Sequence, residues 1–304
     1  MQGKNDLMAK EFYEEYKPRR ETLELIAKCN VILEDYDSQG YDMTLRQLYY
    51  QLVSQDEIPN NAKQYDRLGN IVNKARLAGL IDWNHIVDRT RHLKQSPHWD
   101  SPSQILEAVS KQYKIDKWAS QTYRPEVWFE KNALTGIFER VCDEFQVPYF
   151  ATVGYNSQSE MWKAGRKRLK VWRENGQVPV IFYLGDHDPS GLHMTVDVLE
   201  RLQLFCGFSV EVRRLALNMP QVEQYKPPPN FAKNTDSRFE EYKAKYGTDS
   251  WELDALNPAI LSNLVKTEIE KLIDRDAWDS ALEREHHEVQ LLEKISKDLT
   301  QAEN

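Results

Sequence analysis

Cysteine is scarce in this chain: Cys29, Cys142 and Cys206 are the only three in 304 residues, and no C-x-x-C pair occurs. That spacing argues against a disulfide framework and against a cysteine-ligated zinc site. No apolar run approaches the ~18 residues of a bilayer span, and the opening MQGKNDLMAKEFYEEYKPRR lacks the apolar centre of a secretion signal. The expected compartment is therefore cytoplasmic, nucleoid-associated if the source is bacterial or archaeal, with no membrane partner. There is no internal repeat, no low-complexity segment and no G-x-x-x-x-G-K-[ST] phosphate loop, so an ATP-driven step would need a separate ATPase subunit. What is present is apolar and aromatic material, 40% hydrophobic with 8 Trp, 15 Tyr and 10 Phe, enough to build packed cores. The length suits about two domains.

A net charge of −8 argues weakly against nucleic acid as a partner. The average hides local structure. From Asn60 to Gln95 the cations Lys63, Arg67, Lys74, Arg76, Arg89, Arg91 and Lys94 face only Asp66, Asp82 and Asp88. WKAGRKRLKVWR, residues 162–173, has no acid, and Arg166, Lys170 and Arg173 form one helical stripe that could flank an acidic site. Such runs suit a DNA groove, and they suit ordinary solvated helix faces equally well. Trp162 and Trp172 are expected in the core.

Apolar periodicity divides the chain near residue 122. Residues 1–122 read as helical, with ETLELIAKCNVILEDY, a helix capped by Thr44 (LRQLYYQLVSQ), and YDRLGNIVNKARLAGLI. IDWNHIVDRTRHLK then shows short β-like runs. Three helices followed by a ribbon is the winged-helix variant of the helix-turn-helix. A connector with its own helix leads to residues 123–304, where apolar strands alternate with helices: EVWFE, VPYFAT, VPVIFYLGD and SVEVRRLAL. That alternation predicts an α/β unit with a mainly parallel sheet and a helical C-terminal extension.

In such sheets chemistry gathers at the carboxyl ends of the strands. Three carboxylates stand there: Glu130 ends EVWFE, and Asp186 and Asp188 follow VIFYLG in GDHDPSG. Alternation along an extended strand end would aim Asp186 and Asp188 at one point, and their repulsion calls for a cation. Mg²⁺, with Mn²⁺ as an alternative, suits an all-oxygen set; zinc fits less well because no cysteine joins it. His187 lies between the acids and should point away from them.

VWFEKNAL followed by VIFYLGDHDPSGL resembles the Toprim domain of topoisomerases, primases and certain nucleases. RRLALNMPQVEQYKPPPNFAKNTDSRFEEYKAKYG and WELDALNP narrow the resemblance to the A subunit of type IIB topoisomerase (topoisomerase VI) and the meiotic Spo eleven family. That family carries R-x-x-Y-Y in its winged helix, matched here by Arg46, Tyr49 and Tyr50, so the likeness spans roughly residues 40–270. It implies a double-stranded DNA substrate and a nucleophilic Tyr50 that becomes linked to a 5′ phosphate. Arg46 would lie beside Tyr50, while Glu130, Asp186 and Asp188 would hold Mg²⁺, with Glu130 also the acid/base. It further implies a homodimer in which the tyrosine of one subunit meets the metal of the other. Some relatives act as hydrolytic nucleases in defence loci, and a non-catalytic DNA-binding scaffold is the contrasting reading. Lys233 and Arg238 match the family pattern in the proline loop.

Helical spacing separates the two tyrosines independently. Leu45, Leu48, Tyr49 and Leu52 form one buried stripe, whereas Tyr50 shares a face with Arg46, four residues back. Tyr49 is expected in the core and Tyr50 as an exposed phenol beside a cation.

Overall fold

The computed structural model describes residues 10–87, 98–232 and 235–303. Three helices come first: α1 (Arg20–Ser38), α2 (Leu45–Ser54) and α3 (Ala62–Leu77). α2 begins with a reciprocal cap. The Thr44 hydroxyl accepts the Gln47 N–H at 3.3 Å, and the Gln47 side chain accepts the Thr44 N–H at 2.8 Å. α3 ends four residues short of the predicted Ile81, because Gly79 adopts φ +71° and turns the chain. Leu68, Ile71, Val72 and Ala75 of α3 share one core with Leu48 and Leu52 of α2 and Leu33 of α1. Of the expected ribbon, residues 81–87 contribute a single parallel bridge, Met43 with Ile86. Its remainder, from residue 88, lies outside the described residues.

After α4 (Pro102–Gln112), capped by Ser101, the chain enters a sheet. Its elements are β1 (Tyr123–Phe129), α5 (Thr135–Phe145), β2 (Tyr149–Ala151), α6 (Gln158–Lys163), α7 (Lys170–Glu174), β3 (Val178–Leu184), α8 (Pro189–Cys206) and β4 (Glu211–Ala216). The strands run in parallel in the order β2-β1-β3-β4, so the fold class is α/β. Side chains alternate with period two. Val127, Phe129, Val180, Phe182 and Leu184 pack on Phe138 and Val141 of α5, whereas Trp128, Ile181 and Tyr183 pack on Met194, Val198 and Leu202 of α8.

Trp162 is 43% exposed rather than in the core. Met161 takes the fully buried position, and a step of about 100° turns the next residue outward. Trp172 is partly buried against the α8-side core. Between α6 and α7 the backbone widens into a π-helix, Ala164–Leu169, seating Gly165 so close to α8 that a Cβ would lie 2.7 Å from that of Phe205.

The chain continues through α9 (Met219–Tyr225), β5 (Asn230–Phe231), α10 (Phe239–Tyr246) and β6 (Asp249–Ser250), with β5 and β6 paired antiparallel. It ends with α11 (Pro258–Glu270) and α12 (Arg275–Glu303). α12 lies antiparallel to α4: Ser296 donates to the Ser103 carbonyl, and Lys117 reaches both oxygens of Glu285 at 2.8 Å. Among the described residues no helix is long and apolar enough to cross a membrane.

Candidate functional site

β1 and β3 are neighbours in the sheet although β2 separates them in sequence, so the chain leaves their carboxyl ends in opposite directions and opens a crevice there. Glu130 is the residue after β1; Asp186 lies two past the end of β3. Glu130 Oε2 accepts the Asp186 N–H at 2.9 Å, Asp186 Oδ1 accepts the Leu253 N–H at 2.7 Å, and Asp188 Oδ1 accepts the Gly191 N–H at 2.6 Å to cap α8. Each carboxylate thus spends one oxygen on the backbone.

Strand alternation is not what aims the two aspartates. β3 stops at Leu184, and His187 pairs instead with Trp251 through backbone bonds of 2.8 and 3.0 Å. The turn, not the pleat, brings Asp186 and Asp188 to one cleft of about 520 Å³. Gly191 permits that turn, since a Cβ there would overlap the Asp186 carbonyl oxygen. The buried Arg214 guanidinium braces it, donating to the carbonyls of Gly185 at 3.0 Å, Asp186 at 2.6 Å and Gly191 at 3.0 Å. His187 does point away, with Nδ1 2.9 Å from the Tyr242 hydroxyl; burial and Arg214 lower its pKa to about 4.

Among the described residues no three His, Cys, Asp or Glu side chains converge as a metal-ligand group. Glu130, Asp186 and Asp188 are adjacent rather than convergent. Their chemistry nevertheless fits a hard cation. Burial pushes Asp186 up to about 7, with Glu130 and Asp254 adding to the effect and Lys131 opposing it. Burial also raises Glu130, with the Asp188 charge contributing. Crowded oxygen donors whose ionisation is suppressed are what a divalent cation relieves.

Tyr50 departs from expectation. It is 5% exposed, as buried as Tyr49 at 4%. Spacing along α2 correctly gives it the Arg46 face, but the segment following β6 folds over that face. Arg46 Nε contacts Asp254 Oδ2 at 2.9 Å, its Nη2 pairs with Glu252, and the same nitrogen donates to the Tyr50 hydroxyl at 3.3 Å. Burial and the Glu252 charge raise the Tyr50 pKa above the usual phenol value, with Arg46 opposing. Tyr49 packs as predicted, edge-on to Tyr65 at 5.3 Å, its hydroxyl accepting the Asn61 N–H at 2.7 Å.

Lys131 joins the two halves of the site. Its Nζ lies 2.6 Å from Glu252, 2.8 Å from Asp254 and 3.0 Å from Asp186. Tyr50, Arg46, Glu252, Lys131 and Asp186 therefore form one continuous polar chain within a single protomer. Although burial acts to raise Glu252, Lys131 and Arg46 more than offset it and hold this carboxyl down to about 2. Lys131, Arg214, Glu252 and Asp254 are absent from the sequence-derived site. The available signal was charged residues inside apolar stretches, as in WFEKNAL, RRLAL and WELDAL.

The predicted DNA contacts scatter. Arg67 and Lys74 are exposed on α3, with Arg67 bonded to Gln64 at 3.3 Å and Lys74 over the Tyr16 ring. Arg166 and Lys170 lie near Cys206 at the C-terminal end of α8, about 27 Å of helix from Asp188 at its start, so this stripe does not flank the acids. Arg238 pairs with Asp236 at 3.1 Å, and Ser190 donates to Asp236 at 2.6 Å. Arg89, Arg91 and Lys233 lie outside the described residues. The chain matches no protein-family model, and no curated protein is significantly similar to it.

Proposed function

We propose that this protein breaks a DNA strand in a Mg²⁺-dependent reaction resembling that of the type IIB topoisomerase A subunit, with residues 1–122 serving as a winged-helix unit and the sheet as a Toprim unit. The carrying observation is the polar chain linking the Tyr50 hydroxyl to Asp186 along one cleft wall.

In this reading an incoming phosphodiester competes with Glu252 for Arg46 and Lys131. Once those cations turn to phosphate, Glu252 regains basicity beside Tyr50 and accepts the phenolic proton, giving the nucleophile that an unaided tyrosine cannot supply at neutral pH. The Tyr50 oxygen bonds to phosphorus as the bond to the 3′ oxygen breaks, leaving a 5′-phosphotyrosyl link. Glu130, whose hold on a proton burial strengthens, would act as the general acid toward the departing 3′ oxygen. Mg²⁺ held by Glu130, Asp186 and Asp188 would stabilise the charge on the phosphate oxygens.

The burial of Tyr50 favours one second reading, a Toprim nuclease with water as nucleophile. Supercoiled plasmid incubated with the protein and Mg²⁺ or Mn²⁺ distinguishes them. Nicked or linear DNA carrying covalently bound protein, both lost in Tyr50→Phe, supports tyrosyl transfer. Cleavage that survives Tyr50→Phe supports the nuclease. Absence of both products at any protein ratio, including with an ATPase partner, refutes cleavage and leaves a DNA-binding scaffold.

A further inference from the structure

We infer that Phe231 is a stacking platform for a nucleobase next to the phosphate in the cleft; this rests on the DNA reading above. Phe231 is 88% exposed, more than any other large apolar side chain among the described residues. Single exposed hydrophobes are ordinary on protein surfaces, so exposure alone decides nothing. Three further observations do.

First, Phe231 lines the same cleft as Arg46, Tyr50 and Asp188. Second, its backbone is fixed. Phe231 pairs with Asp249 across the β5–β6 ribbon, and the Ala232 N–H donates to the Thr248 carbonyl at 2.9 Å. The preceding Asn230 is held from both walls: its Oδ1 accepts from Asn60 at 2.6 Å, and its Nδ2 donates to Glu252 at 3.1 Å. A ring with two side-chain torsions on a pinned backbone pays little ordering entropy on contact. Third, Tyr50, Tyr65 and Trp251 line the same cleft, so flat aromatic side chains stand beside the cations Arg46 and Lys131 there.

The chemistry then selects the ligand. Arg46 and Lys131 suit phosphate, and the acidic turn suits a cation; a flat, uncharged face suits a flat, uncharged partner. Every base has such a face, so recognition of this kind is sequence-tolerant. In a duplex the contact requires opening a base step, as apolar wedges do. Phe231 would thereby hold the strand in register with Tyr50 without touching the reacting atoms, which makes it a positioning residue.

The test measures binding of a short labelled DNA duplex by fluorescence anisotropy, without divalent cation, for wild type, Phe231→Ala and Phe231→Trp. Loss of one stacked base predicts binding weakened roughly 5- to 100-fold in the alanine variant, with tryptophan restoring it. An abasic residue scanned along the duplex should produce the same loss in wild type at one position. There the alanine variant should show no further loss, a coupling that a structural defect would not produce. Equal affinities for wild type and Phe231→Ala, or an abasic penalty identical in both, overturn the inference while leaving the cleavage reading intact. A wild-type protein that binds no duplex also overturns the inference, and the plasmid assay with Mg²⁺ decides the cleavage reading separately.

Discussion

Glu252→Gln probes the junction on which the proposed site depends. The wild-type carboxyl is held at about 2 in the folded protein against an ordinary value of 4.5, because Lys131 and Arg46 outweigh the effect of burial. A depressed folded-state value means that the unfolded chain binds the proton more tightly. The associated stability is present above pH 4.5 and is lost as pH falls through about 2. The displacement of some 2.5 pH units corresponds to about 3 kcal/mol at pH 7 and to about 1 kcal/mol at pH 3. Glutamine keeps the shape but mimics the protonated state. Urea unfolding followed by tryptophan fluorescence should show the variant less stable by about 3 kcal/mol at pH 7, the gap closing toward pH 2. The same variant should bind DNA more tightly at pH 7, since Arg46 and Lys131 lose a competing anion. A gap under about 1 kcal/mol at pH 7, or one unchanged at pH 3, would refute the electrostatic reasoning.

Gly191→Ala places a methyl against the Asp186 carbonyl and should cost about 2 kcal/mol as well as cleavage activity, read by thermal melting and plasmid assay. Val153 is a β-branched residue at φ +48°, 69% exposed, whose N–H holds the Glu130 carbonyl at 3.0 Å. Val153→Asn should relieve strain and raise stability by about 1 kcal/mol; a lower melting temperature would contradict this. Lys117 is buried against Glu285, so Lys117→Met should destabilise by about 3 kcal/mol, and adding Glu285→Leu should recover most of it. Because Tyr50 and Asp186 are linked within one protomer, mixing Tyr50→Phe with Asp186→Asn protein should restore no cleavage. Restored nicking would show that the site is shared between two chains, as the family resemblance implies.

The sequence determined what local physics can encode. Thr44 set the start of α2, the stripe Leu68, Ile71, Val72 and Ala75 set the buried face of α3, and apolar strands alternating with helices set a mainly parallel sheet. It also put Glu130, Asp186 and Asp188 at strand ends, since chain order and element type suffice for that. Only tertiary structure decided what covers Tyr50. A helical wheel knows the neighbours at i±3 and i±4, but Glu252 and Asp254 reach Arg46 from more than 200 residues away. Likewise, WKAGRKRLKVWR reads as basic wherever it sits, and the packing of Gly165 on Phe205 and Cys206 carried it to the far end of α8. Charge type is written in the residue; the partner that neutralises it is chosen by the fold, because ion pairs act through distance in space rather than along the chain.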